Sequence, residues 1–168
     1  MKIQKIFIVG AGTMGNGISQ TAAVSGYQVT MMDVIPEQLK RAQATIAKSV
    51  EKLASKEKIS TEQKEAALNI STTSDLEQLP EADLVIEAAT ENPELKFKIF
   101  EDLDRLARPE VILASNTSSI SLTKIAGVTQ RPEQVVGMHF FNPVPLMRLV
   151  EVIRGLQTSD QTTGTVVE

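Results

Sequence analysis

The sequence predicts an α/β fold, a doubly wound and mostly parallel sheet with helices on both faces, and three observations carry that expectation. Short β-branched runs alternate along the chain with segments whose apolar residues recur at helical spacing. The first run ends in a glycine-rich turn, Gly10-Ala11-Gly12-Thr13-Met14-Gly15, and a helix-like segment follows directly. The composition is that of a globular chain: 168 residues, 42% hydrophobic and 23% charged. Such a chain buries about two-thirds of the surface its unfolded form exposes, so residues 1–168 are expected to hold one domain without a disulfide or metal staple.

Each element has a local reason. Ile3 to Val9 is a β-branched run closed by glycine, the mark of a buried strand. From Gly12 to Ser25 the residues Met14, Ile18 and Ala22 keep helical spacing, and Gly26 takes a helix C-cap position. Tyr27 to Met32 returns as a second strand ending at Asp33, which completes a strand–helix–strand unit of the kind that builds parallel crossovers. Pro36 opens a long helix with Leu39, Ala42, Ile46, Val50 and Leu53 on one face through about Lys56, and a shorter helix follows to Leu68. Residues 36–68 are therefore expected to form a helical hairpin projecting from the sheet. Leu84 to Ala88 reads as the next strand. Asn92-Pro93-Glu94 supplies an N-cap, a first-turn proline and a first-turn acid for a helix to Ala107, whose expected buried stripe is Leu95, Ile99, Leu103 and Leu106. Val111 to Ala114 is a strand that runs into the polar loop Ser115-Asn116-Thr117-Ser118-Ser119, and Ile120 to Ala126 a short helix. Val135 to Phe140 and Leu149 to Ile153 are two more strands, joined through Asn142-Pro143-Val144-Pro145. Ser159 N-caps a final helix from Thr162 to Val167 that meets no glycine or proline stop, so the chain is expected to be cut within that helix.

Composition also removes functions. With no cysteine and a single histidine, His139, the chain offers no thiolate metal site, no thiol nucleophile and no set of imidazole ligands, and no metal is expected. A formal charge of −4, scattered Lys and Arg, one Tyr and no Trp give neither a basic stripe nor a stacking platform for nucleic acid. The leading apolar stretch Ile6-Phe7-Ile8-Val9 is too short for a signal sequence or a membrane span. The expectation is a soluble protein that stays in the cytoplasm.

The glycine turn matches G-x-G-x-x-G between a strand and a helix, with Asp33 eighteen residues beyond the last glycine at the end of the second strand. In that setting each part has a task. Gly10 makes the tight turn, Gly12 lets backbone amides approach a pyrophosphate, and Gly15 lets helix and strand pack closely, while the helix N-terminus attracts the phosphates. Asp33 would accept hydrogen bonds from the adenosine ribose hydroxyls, and its charge would repel a 2′-phosphate. The pattern points to a Rossmann-type domain with NAD favoured over NADP, held by Gly10, Ala11, Gly12, Thr13, Met14, Gly15 and Asp33.

A lone histidine at a strand end is usually structural. Twelve residues on, however, Glu151 interrupts the apolar run Leu149-Val150-Glu151-Val152-Ile153, where a buried carboxylate is costly unless it meets a cation or donors. If the two strands are neighbours, Glu151 reaches the imidazole, fixes its tautomer and stabilises the imidazolium, which makes a general base for an alcohol proton. Arg148 and Arg154 lie at odd offsets from Glu151 and point to the other face of the strand.

From Ile6 to Ile153 these residues resemble the L-3-hydroxyacyl-CoA dehydrogenase family, its bacterial 3-hydroxybutyryl-CoA branch above all. The resemblance rests on Val9 through Gly15, Val85-Ile86-Glu87-Ala88, Glu91-Asn92, Ser115 through Ser119, His139-Phe140-Phe141-Asn142-Pro143 and Leu149 through Ile153, the last three in this order and spacing being the specific part. It implies NAD-dependent oxidation of a 3-hydroxyacyl-CoA to the 3-oxoacyl-CoA and the reverse, in fatty-acid or butanoate metabolism. His139 is then the catalytic base and Glu151 its partner. Ser118 and Asn142 are implied to hydrogen-bond substrate and nicotinamide, Glu91 and Lys96 to contact the cofactor, and Ser49 and Lys56 on the long helix to contact coenzyme A. The family continues into an all-helical domain that closes over the substrate and forms a homodimer, so the resemblance implies that this chain stops before that domain. A related gulonate-type hydroxy-acid or sugar-acid dehydrogenase shares several of the motifs. A non-catalytic NAD-binding module would need neither His139 nor Glu151.

Overall fold

The computed structural model describes residues 2–168. Seven strands form one sheet: β1 (Lys5–Val9), β2 (Gln28–Met32), β3 (Ser71–Thr73), β4 (Leu84–Glu87), β5 (Ile112–Ser115), β6 (Val135–Phe140) and β7 (Val150–Arg154). Their order across the sheet is β3-β2-β1-β4-β5-β6-β7, with every pair parallel except the last, in which β7 runs against β6. The helices are α1 (Thr13–Val24), α2 (Pro36–Ser55), α3 (Thr61–Leu68), α4 (Pro93–Leu106), α5 (Leu122–Gly127) and α6 (Asp160–Val167), with 3₁₀ turns at Leu76–Glu81 and Pro132–Gln134. The chain leaves β1 toward β2 on one side and returns to β4 on the other, which puts a topological switch point at the carboxyl end of β1.

Strands covered on both faces read as continuous apolar runs, and successive residues here divide between two cores. Ile6, Ile8, Met31, Ile86 and Met138 pack with α1 and the first helix of the hairpin, whereas Phe7, Val9, Val85, Leu113 and Val135 pack with α4 and α5. At the amino ends of the strands Asp83 accepts the backbone N–H groups of Gln4 and Lys5, each at 2.9 Å, and pairs with Arg108. Burial works to raise its carboxyl, but those donors together hold it below the usual carboxylate range.

Three expectations are corrected. The α2–α3 hairpin does not stand off the sheet: α2 buries Leu39, Ala42, Ile46 and Val50 in the first core, and Gln63 of α3 donates to the Val24 carbonyl at the end of α1. A stripe this apolar on an otherwise charged helix is removed from water by the nearest apolar surface, which is α1 and the β3 edge of the sheet. Strand β3 went unread, because Ser71-Thr72-Thr73 has no apolar run to mark it. The buried side of α4 is Lys96, Phe100 and Leu103, with Leu95 49% exposed. A reading that places only apolar residues inside rotates this helix by about one position, since it cannot count a lysine as core.

Candidate functional site

The carboxyl ends of the strands gather the chemistry-bearing residues. At the switch point Gly10 has φ of +103°, and a Cβ on it would lie 2.8 Å from the Ala88 carbonyl oxygen. A Cβ on Gly15 would lie 1.8 Å from the Gly10 oxygen, so only hydrogen fits between turn and helix. Around Gly12 the space is open, with nothing within 4 Å of a Cβ built there. Gly12 is also the N-cap of α1 and gives it no side-chain acceptor, whereas α3, α4, α5 and α6 are capped by Ser60, Asn92, Ser121 and Ser159. The first-turn amides of α1 thus face open space with no side-chain acceptor of their own. Asp33 closes β2 half-buried, one oxygen accepting Ala11 N–H at 2.8 Å and the other Ile35 N–H at 2.9 Å. This ties the glycine turn to the second strand, a task not visible in the sequence, and leaves each oxygen further acceptor capacity. An open cradle, uncapped amides and a carboxylate beside them fit a dinucleotide.

Beneath the wall formed by the β4–α4 and β5–α5 loops lies a buried polar cluster. Glu87, fully buried at the end of β4, accepts from Lys96 Nζ, from Ser115 Oγ at 2.9 Å and from Ala89 N–H at 2.9 Å. Lys96 is 1% exposed, and its ammonium also reaches Ser115 Oγ at 3.4 Å. Lys96 was expected at the cofactor; its ammonium instead turns inward, because a buried carboxylate on the neighbouring strand demands a cation. Glu91, on the exposed side, accepts from Thr117 Oγ1 at 2.9 Å and Ser119 Oγ at 3.0 Å, and so joins the two loops. Ser118, between those two hydroxyl residues, is exposed.

On β6 and β7 the register sets His139 opposite Glu151. Directly opposed residues of an antiparallel pair share a face. His139 Nδ1 lies 2.8 Å from Glu151 Oε2, and the Phe141 ring tilts against the imidazole with centroids 4.6 Å apart. The imidazole side chain is 21% exposed and the carboxylate 50%. Glu151 was read as buried; β7 is the edge strand of the sheet, and its carboxylate reaches solvent. Arg154 instead pairs with Asp160 at 2.7 Å, as its offset foretold. Asn116, which sequence reasoning passed over, accepts Phe140 N–H at 2.9 Å and fastens the loop after β5 to the strand carrying His139. Asn142 is exposed just beyond β6, at a cis bond to Pro143. Ser49 is half-buried on α2 and Lys56 exposed at its end. Among the described residues no group of three or more His, Cys, Asp or Glu converges on a possible metal position. No helix there is long and apolar enough to cross a membrane.

Known proteins resemble this chain over nearly its whole length. A probable 3-hydroxybutyryl-CoA dehydrogenase of Bacillus subtilis (strain 168) is 51% identical over 166 residues, covering 96% of this chain and 57% of its own. The crystal structure of (S)-3-hydroxybutyryl-CoA dehydrogenase from Ralstonia eutropha superposes with a TM-score of 0.94 at 51% identity, over 98% of this chain and 59% of that one. That of 3-hydroxybutyryl-CoA dehydrogenase from Escherichia coli K12 gives 0.96 at 40% identity, over 99% of this chain and 35% of that one. The chain spans less than three-fifths of the length of these relatives. The family profile described as 3-hydroxyacyl-CoA dehydrogenase, NAD binding domain, matches residues 5–168, and the chain belongs to that family.

Proposed function

We propose that the chain binds NAD and supplies the acid–base pair for interconverting (S)-3-hydroxyacyl-CoA and 3-oxoacyl-CoA, with short esters such as 3-hydroxybutyryl-CoA as substrates. One observation carries the reading. The 2.8 Å contact between His139 and Glu151 stands at the carboxyl ends of the strands, beside a dinucleotide cradle that requires neither residue for binding. In this reading the first-turn amides of α1 and the Gly10–Gly15 turn take the pyrophosphate, and Asp33 takes the adenosine ribose hydroxyls. Ser118 and Asn142 orient nicotinamide and substrate, Glu91 holds the Ser118 loop, and Lys96 acts from behind the wall as the partner of Glu87. Ser49 and Lys56 meet coenzyme A.

The cofactor, when bound, takes up or returns the hydride at C3. The proton is the protein's task. Because Nδ1 faces the Glu151 carboxylate, it carries the ring proton and leaves the lone pair on Nε2. Neutral His139 then accepts the 3-hydroxyl proton at Nε2 during oxidation, and Glu151 stabilises the resulting imidazolium. In reduction the imidazolium returns that proton to the forming alkoxide.

The test is NADH oxidation by the full-length protein with acetoacetyl-CoA, set beside NAD-dependent oxidation of gulonate. Turnover of the CoA ester alone supports the reading. Turnover of gulonate alone, or of neither, overturns it.

A further inference from the structure

Gly17 has no conformational reason to be glycine. It lies in the interior of α1, in ordinary helical backbone, where glycine is among the poorest helix formers. It takes no part in the glycine turn. What it lacks is room: a Cβ on Gly17 would stand 2.9 Å from Val144 Cβ, 3.1 Å from Val144 Cγ2 and 3.6 Å from Pro145 Cδ. Gly17 therefore presses on the connection between β6 and β7, the segment that carries Asn142. Val144 is the only fully buried side chain of residues 141–149, 4% exposed, while the rest of that connection is exposed or half-buried. A single side chain thus moors the connection to the body of the domain, and bare helix backbone receives it.

Val144 is flanked by Pro143 and Pro145, whose rings fix φ and stiffen the segment, and the Pro143 carbonyl closes a turn by accepting Leu146 and Met147 N–H at 3.0 Å each. Movement of Val144 is therefore passed along the segment rather than absorbed. Carbon atoms in contact sit about 3.5–4.0 Å apart, so a methyl at position 17 would drive Val144 back by roughly 0.6–1 Å.

We infer that Gly17 is a positioning residue: by omitting its Cβ it seats Val144 and so sets where Asn142 stands relative to the glycine turn. The same helix then registers both sides of the cleft, receiving the Gly10 turn at Gly15 and the Asn142 connection at Gly17. The catalytic consequence rests on the function proposed above; the seat itself does not.

The test adds one methyl at the contact with and without the side chain it meets. In the 168-residue chain, NMR of the side-chain amide of Asn142 is compared among wild type, Gly17→Ala, Val144→Gly and Gly17→Ala/Val144→Gly. The Asn142 resonances should move in Gly17→Ala, whereas the same methyl added to Val144→Gly should leave them where Val144→Gly alone puts them. An unmoved Asn142 in Gly17→Ala, or an equal displacement by that methyl in the Val144→Gly background, overturns the seat. In the full-length protein, displacement of this size should lower kcat on the order of 10-fold to 100-fold with NAD affinity little changed, and in the Val144→Gly background the same methyl should cost no further activity. The NMR pattern with unaltered kcat overturns the catalytic consequence. The NMR pattern in a protein whose wild type turns over no CoA ester supports the seat and removes the proposed function instead.

Discussion

Two pairs of a carboxylate with a nitrogen partner stand at the carboxyl ends of this sheet, and they are built in opposite ways. Glu87 and Lys96 are 0% and 1% exposed, and the carboxylate is further satisfied by Ser115 and by a backbone amide of the β4–α4 loop. His139 and Glu151 meet across an edge strand pair, 21% and 50% exposed, with no other hydrogen-bond partner for the imidazole among the described residues. A buried pair partnered within the fold holds loops in place. A half-exposed pair with one free ring nitrogen contributes little to stability but can exchange a proton with whatever occupies the cleft. Burial separates the pair that shapes the site from the pair suited to work in it.

The largest effect expected is on the exposed pair. Removing a positioned acid–base group costs about 10²–10⁴-fold, so His139→Ala in the full-length protein should lower kcat by that order while its melting temperature and NAD affinity barely move. Glu151→Gln keeps shape and loses charge, and under the proposed mechanism, with the imidazolium as proton donor, should slow reduction of the 3-oxoacyl ester. If the two residues act as one unit, the double variant should be hardly slower than His139→Ala alone. Losses that multiply would make Glu151 an independent group.

The buried pair should show the reverse pattern. Removing one partner of a buried ion pair typically destabilises by about 3–5 kcal/mol, because the other charge is left in the interior. Denaturant unfolding of Lys96→Met should show a loss of that order, and Glu87→Gln/Lys96→Met should be more stable than either single variant. NAD titrations on the same proteins decide the part of Lys96. If it serves Glu87, affinity recovers in the double variant together with stability. If it touches the cofactor, affinity stays low although the fold is repaired.

The same contrast explains which parts of the molecule were legible beforehand. The alternation of strands and helices, the glycine turn and the caps at Asn92 and Ser159 are local, and the residues state them directly. The His139–Glu151 pair was legible because two neighbouring strands with a short connection bring a carboxylate and an imidazole onto one face. The burial of Lys96 was not legible, since it depends on Glu87 of another strand, and the resemblance put the side chain at the cofactor instead. The exposure of Glu151 was hidden for a similar reason: a run of five mostly apolar residues looks the same in a central strand and at an edge. The close approach of Gly17 to Val144 joins residues 127 positions apart and leaves no local mark.

Asp33 falls between the two pairs, a half-buried carboxylate whose known donors are backbone amides. It shapes the glycine turn as Glu87 shapes its loops, yet it is open enough to meet a ligand. Calorimetry on the wild-type chain should show NADH bound more tightly than NADPH, and equal affinities would remove Asp33 as the group that excludes a 2′-phosphate. Asp33→Asn keeps an acceptor for Ala11 N–H and removes the charge. It should narrow the gap by about tenfold, the scale of one unscreened repulsion at a partly buried site.

The smallest effect is expected at Lys56, which is exposed at the end of α2 and shares a helix face with Ser49, seven residues and two turns earlier. A solvated lysine contributes little to folding, so Lys56→Ala should leave the melting temperature within about 2 °C of wild type. Its contact with a coenzyme A phosphate would be worth about 0.2–1 kcal/mol at an exposed position, which corresponds to KM for acetoacetyl-CoA rising roughly 1.4- to 5-fold with kcat unchanged. Because salt screens exposed charges, the wild-type advantage should shrink between low and physiological ionic strength, and an acyl-pantetheine substrate that lacks the nucleotide phosphates should show no difference between the two proteins. An identical KM for the CoA ester at low salt would return Lys56 to the solvated surface. A KM penalty that persists with the pantetheine ester would mean that the lysine acts on the fold of the hairpin and not on the phosphates.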